Sequence, residues 1–137
     1  MNKFKRMFAL LLLAMGLIVA NTAEAFTCGD ATQLVGVWFG VINGMASKSI
    51  QECSIRVDTS KKLTGSCVDI HNKKLYKIKS GSIKLNNQCL VTFTINFTNR
   101  AIATSRAVIN KAGDTMIGTY KNSFGDYGSF SSNWEGG

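Results

Sequence analysis

Beyond residue 25 the chain repeats one pattern: short runs of alternating apolar and polar residues, broken at even intervals by turn-forming clusters. The stretch from Cys89 to Phe97 shows it most clearly, with Cys89, Val91, Phe93, Ile95 and Phe97 on one parity. Successive side chains of an extended chain point to opposite faces, so such a run is a strand with one face in a core. Eight runs qualify, about 34–42, 49–57, 62–70, 74–84, 88–97, 100–110, 115–121 and 127–134. They carry many β-branched and aromatic residues, which favour strands. The separators NGMASK, DTSKK, HNK, LNNQ, TNR, NKAGD and NSFGD turn the chain without proline, which is absent. None of the runs sustains a 3.6-residue apolar period, so no long helix is expected there. Eight short, evenly spaced strands predict an all-β fold, an antiparallel up-and-down barrel, with a two-sheet sandwich as the alternative.

The first 25 residues stand apart. Lys3, Lys5 and Arg6 precede the apolar run 7–20, and Ala23-Glu24-Ala25 forms a small-x-small site. That order describes a secretory signal peptide, 1–25, leaving one domain over 26–137. The run of 14 apolar residues falls short of the about 20 needed to span a bilayer. Ala25-Phe26-Thr27 ahead of Cys28 is not a lipobox, so no lipid anchor is expected. The expected location is therefore secreted or periplasmic, without a transmembrane anchor in the mature chain. Cleavage removes three bases and Glu24, taking the formal net charge from +8 to +6. All four cysteines survive it, and an even number in an exported chain reads as two disulfides with three possible pairings.

Register selects among those pairings. If DTSKK turns the chain about position 60, Val57 faces Leu63, Ile55 faces Gly65 and Cys53 faces Cys67, all on one side of the hairpin. Opposed residues in an antiparallel pair have Cα atoms about 4.5–5.5 Å apart, near what a disulfide requires. Cys28 is then left for Cys89, which ties the N-terminal arm to the fifth strand. Five strands also carry a glycine two residues before a larger residue: Gly36 before Trp38, Gly65 before Cys67, Gly81 before Ile83, Gly118 before Tyr120 and Gly128 before Phe130. Glycine beside a bulky same-face neighbour lets a strand coil tightly, as a small barrel requires.

The stretch LVGVWFG (34–40) resembles the Gly-x-Trp first strand of the calycins, the lipocalin and avidin group of eight-stranded barrels. KKLTGSC (61–67) is similar to the second hairpin of avidins, and TMIGTYKN (115–122) to one of their later strands. The resemblance implies a barrel whose closed end is plugged by Trp38. It does not extend to biotin: the avidin Asn two residues past the tryptophan is Gly40 here, and the biotin-binding aromatic is Cys67. The arginine that lipocalins pack across that tryptophan has no counterpart either, since only Lys111 and Lys121 follow Arg106 as bases. Bacterial calycin-like inhibitors of secreted proteases share the leader, the size and a disulfide, which makes inhibition of a secreted enzyme the alternative function.

Catalysis finds little support. His71 is the single histidine and falls in a turn, no cysteine spacing suits a metal, and no phosphate loop occurs. Asp58, Asp114 and Asp126 fall in turns, where aspartate caps its own backbone, while Glu52 and Asp69 fall on opposite faces of their hairpin. A non-catalytic binding protein for a small or anionic ligand, without cofactor or metal, is the expected function. Trp38, Tyr76, Phe93, Tyr120 and Phe130 are the expected lining of the barrel, whose short strands suggest an interior filled by side chains. Lys61, Lys62, Lys73, Lys74, Lys77, Lys79 and Lys84 form the candidate patch for an anionic surface. Export and the lack of an aromatic-basic platform argue against nucleic acid. Trp134 lies near the C-terminus, where chains fray, and is expected to matter less than Trp38.

Overall fold

A computed structural model describes residues 25–137, so the leader 1–24 lies outside the described residues. The chain forms a closed barrel of eight antiparallel strands in sequence order. They are β1 (Gly36–Gly44), β2 (Ile50–Val57), β3 (Leu63–Asp69), β4 (Leu75–Leu85), β5 (Leu90–Phe97), β6 (Ile102–Ile109), β7 (Thr115–Asn122) and β8 (Tyr127–Gly136). Each strand pairs with the next, and β8 returns to pair with β1 from Gly44–Gly128 down to Val37–Gly136. Among the described residues no helix is long and apolar enough to cross a membrane.

The β2–β3 register is the one expected from DTSKK: Val57 opposes Leu63, Ile55 opposes Gly65 and Cys53 opposes Cys67. Disulfides join Cys53 to Cys67 and Cys28 to Cys89. Such bonds persist in oxidising compartments. Two of the glycine positions show why the strands need them. A Cβ on Gly118 would collide with the Arg106 carbonyl of β6, and one on Gly128 with the Asn43 carbonyl of β1.

One end of the barrel is shut. A 3-10 turn, Ala31–Leu34, is capped by Asp30, whose Oδ1 accepts from Thr32 N (2.9 Å) and Thr32 Oγ1 (2.6 Å). The turn presses the fully buried Leu34 into the barrel, and Trp38 Nε1 donates to the Leu34 carbonyl at 2.9 Å. Val57, Leu63, Leu85, Val91, Ile109 and Met116 complete this buried layer.

Strand β4 departs from simple alternation, and one expectation requires correction. Ser80 points outward together with Lys79, because β4 carries a bulge between Ile78 and Ser80 that inverts its parity. The C-terminal strand does not end at 134: it runs to Gly136, and Trp134 stands opposite Trp38 in the β1–β8 register. Its Nε1 donates to the Val35 carbonyl (3.2 Å), and its backbone N–H to the Asp114 carbonyl (2.8 Å). Closure, rather than fraying, governs this segment.

Trp38 is 3% exposed and Trp134 43%. Trp38→Ala is expected to cost about 3–5 kcal/mol, as truncation of a buried aromatic does, and Trp134→Ala distinctly less. Chemical denaturation of both variants checks the ranking. Replacing Cys53 and Cys67 by alanine, across a sequence separation of 14, should cost about 3 kcal/mol on loop-entropy grounds, read from the same titrations.

Candidate functional site

Above the plugged layer the barrel is hollow. A cavity of about 440 Å³ runs from Trp38 and Met116 at its floor to the loops β1–β2, β3–β4, β5–β6 and β7–β8 at the opposite end. The filled interior expected from short strands is therefore incorrect. The reason lies in β6 and its neighbours: Ala101, Ala103 and Ser105, with Gly40 and Ser132, place small groups where a filled barrel needs large ones. The volume lies within the about 300–1,000 Å³ range of small-molecule pockets.

Trp38, Tyr76, Phe93, Tyr120 and Phe130 all lie on the cavity wall. Phe93 and Phe130 meet edge to face, with ring centroids 5.3 Å apart. The wall is graded. Its deep part is apolar, from Ile55, Ile83, Phe93, Ile95, Met116 and Phe130, whereas Gln51, Asp69, Asn72, Asn99, Asn122 and Asp126 cluster toward the mouth. Among the described residues, no lysine, arginine or histidine lines it.

Sequence reasoning missed the polar mouth. Asp126, expected to cap its own turn, reaches across to another loop instead. Its Oδ1 accepts from Ser47 N (2.9 Å), and its Oδ2 from Ser47 Oγ (2.8 Å) and from the Tyr120 hydroxyl (2.7 Å). The turn itself is capped by Asn122, whose Oδ1 accepts from Phe124 N and Asp126 N. Burial alone would raise the Asp126 pKa, but the hydrogen bonds from Tyr120 and Ser47 outweigh it and hold the carboxyl below its ordinary value. Burial, then the hydrogen bond to this carboxylate, pushes the Tyr120 phenol upward. No local sequence signal links Ser47 to Asp126, which are 79 residues apart.

Asp69 is 5% exposed and lies on the cavity wall, while Glu52 of the adjacent strand is exposed outside, as the hairpin parity required. The backbone N–H groups of Asn72 and His71 both donate to Asp69 Oδ1 and lower its pKa. Both bonds fall on one oxygen, Oδ1. His71 is exposed. Among the described residues, no group of three or more His, Cys, Asp or Glu is placed to hold a metal.

The lysines do not form one patch. All seven are exposed, but they are strung along the barrel wall. Lys73 and Lys74 flank the mouth, where Lys74 Nζ sits 5.4 Å from the centroid of the Tyr76 ring. Lys77 and Lys79 follow down β4. Lys61 and Lys62 lie at the shut end beside the lower part of β4, through Ile83 N–H to Lys61 O and the Lys62–Ser82 bridge, and Lys84 is nearby.

No protein-family model and no curated protein matches the chain. Solved structures do. A de novo designed fluorescence-activating β-barrel superposes with a TM-score of 0.65 at 14% identity, covering 77% of this chain and 98% of the design. A redesigned β-barrel bound to DFHBI gives 0.62 at 8% identity, over 77% and 97% of the two chains. A further redesigned barrel gives 0.58 at 10% identity, over 79% and 96%. At these identities the likeness is one of fold.

A carboxylate whose folded pKa is lowered stabilises the fold above its unfolded pKa near 4, and that stabilisation is lost as pH falls through the folded value. Asp126→Asn should therefore lower the melting temperature at pH 7, with the difference from the parent chain shrinking as the pH falls below the ordinary aspartate range. Asp30 and Asp69, also lowered, keep part of the acid sensitivity in the variant. Thermal melts across pH check it, and parallel curves would show that Asp126 is not held ionised by its partners.

Proposed function

We propose that the protein is a non-catalytic binding barrel that holds one small, largely apolar molecule in its cavity, polar end toward the mouth. The observation that carries this is the graded wall: aromatic and aliphatic below, amide and carboxylate above, with room of about 440 Å³ between. Sites of this kind bind by burying apolar surface and orient the ligand with a few polar groups. An anionic ligand inside the barrel is disfavoured, since Asp69 and Asp126 are the charged groups on the wall and no base opposes them. The designed neighbours support the same use of the fold, one of them being described as bound to DFHBI. We further infer a calycin-type barrel, supported by Gly36-x-Trp38 in β1 and the seating of Trp38 at the shut end. Export is supported by the leader pattern and the two disulfides.

The neutral fluorophore 1-aminoanthracene tests the site. Its emission should rise and saturate on titration with the protein. Ala103→Trp, which fills the cavity from β6, should abolish the rise while the circular dichroism spectrum and cooperative melting persist. A probe that binds Ala103→Trp as well as the parent chain occupies another surface, and no saturable signal at all removes the cavity as a site.

A further inference from the structure

The two ends of the barrel differ in what they show to solvent. Among the described residues, five of the nine large apolar side chains that are exposed lie at or next to the mouth loops: Met45 (55%), Leu75 (50%), Ile102 (45%), Phe124 (67%) and Tyr127 (56%). Trp134, Val108 and Ile117 are exposed on strand segments near the shut end, but among the described residues the turns of that end expose no large apolar side chain. Apolar side chains gathered at loop tips, rather than scattered singly, mark a surface that meets something.

Bases occur at both ends, but Lys61, Lys62, Lys84 and Lys111 at the shut end share it with the exposed carboxylates Asp30, Asp58, Asp114 and Glu135. At the mouth, Lys48 lies in the β1–β2 loop, Lys73 and Lys74 in β3–β4, and Arg100 in β5–β6, all exposed. The two carboxylates at this end that line the cavity, Asp69 and Asp126, are turned inward and hydrogen-bonded. Three of these bases also sit where glycine would be cheaper: Lys48 at φ 58°, Lys73 at φ 61° and Arg100 at φ 73° are in the left-handed region. Non-glycine residues there are uncommon and carry strain. Lys61 does the same at φ 63° in the β2–β3 turn, so the geometry belongs to this kind of turn. At the mouth, however, it sets a base at three of the four tips, and at the fourth Gly125 takes the left-handed position directly after Phe124.

We infer that the mouth end docks on an anionic lipid bilayer, with Met45 and Phe124 entering the headgroup boundary and Lys48, Lys73, Lys74 and Arg100 resting on the phosphates. Interfacial binding of this kind combines shallow apolar insertion with attraction to anionic lipid, each nearby base contributing about fivefold in affinity. An acidic protein would equally meet the bases, but it offers no reason for apolar groups at the loop tips surrounding an apolar cavity. The inference rests on the cavity being a ligand site only in its purpose: docking places the open mouth against the phase in which an apolar ligand dissolves.

Vesicle co-sedimentation distinguishes the ends. The protein should bind vesicles of phosphatidylcholine with about a third phosphatidylglycerol, weaken steeply with salt, and bind pure phosphatidylcholine far less. Lys48→Glu with Lys73→Glu and Arg100→Glu should weaken binding by about a hundredfold or more, from three lost attractions. The same charge change at the shut end, Lys61→Glu with Lys62→Glu and Lys84→Glu, should leave most of the affinity. Met45→Ser with Phe124→Ser should remove the residual binding that survives high salt. Equal losses from the two charge triples would mean unoriented adsorption and overturn the inference, as would absence of binding to the anionic vesicles. Because 1-aminoanthracene binding is read separately on the charge triples, failure of docking and failure of the cavity site give different results.

Discussion

Everything in this fold depends on the pairing of the last strand with the first. An open meander of eight strands would leave two edges of unpaired N–H and C=O groups, each a template for association. Here β8 covers the free edge of β1 along its whole length, so neither strand has one. Closure requires coiled strands, which is why glycine appears where a Cβ would strike the neighbouring backbone, at Gly118 and Gly128. It also gives the C-terminal residues a structural duty that their position in the chain conceals.

A closed barrel then poses the question of its contents. The shut half answers with branched and aromatic side chains around Trp38, whose indole N–H is satisfied by the Leu34 carbonyl. The N-terminal arm that supplies Leu34 is held by the Cys28–Cys89 bond to the start of β5. The other half is not filled, because β6 and the residue before it turn small groups inward: Ala101, Ala103 and Ser105 line the hollow. A hollow of this size forgoes the dispersion contacts of a packed core. The small residues therefore cost the chain stability that bulkier ones would supply, a cost that the proposed binding site would account for.

The strands, their order and the register of one hairpin were legible because all three are local. Period-2 alternation needs only neighbouring residues, and the Cys53–Cys67 pair follows from a turn of five. Phe93, Phe130 and the tyrosines of the wall were found by the same parity. What escaped was non-local. Asp126 looks like a turn residue in sequence, yet its carboxylate binds Ser47 from the far end of the chain, and this contact arises only once β8 lies beside β1. The hollow escaped because volume is a sum over facing strands: each small residue is unremarked alone. The lysines misled by proximity in sequence, since a strand of eleven residues carries its ends to opposite poles of the barrel.

The placement of charge separates what the two sides of the mouth can recognise. Exposed bases act through water and salt, so their field fades beyond a Debye length of about 8 Å at physiological ionic strength. They suit a broad surface on which many charges are met at once, and they discriminate poorly among small molecules. The wall carboxylates act within a partly enclosed space, where screening is weaker, and they are oriented by fixed donors: Asp126 by Ser47 and Tyr120, Asp69 by the backbone of its own turn. A carboxylate so held cannot swing away from a ligand's head group, and it favours a donor over an acceptor there. On the proposed reading, the rim sets where the protein sits and the wall sets the orientation of what enters. Had the bases lined the cavity and the acids the rim, the same barrel would suit a fatty anion taken up from water; the proposed ligand, an uncharged or cationic amphiphile met at a lipid surface, matches the opposite arrangement.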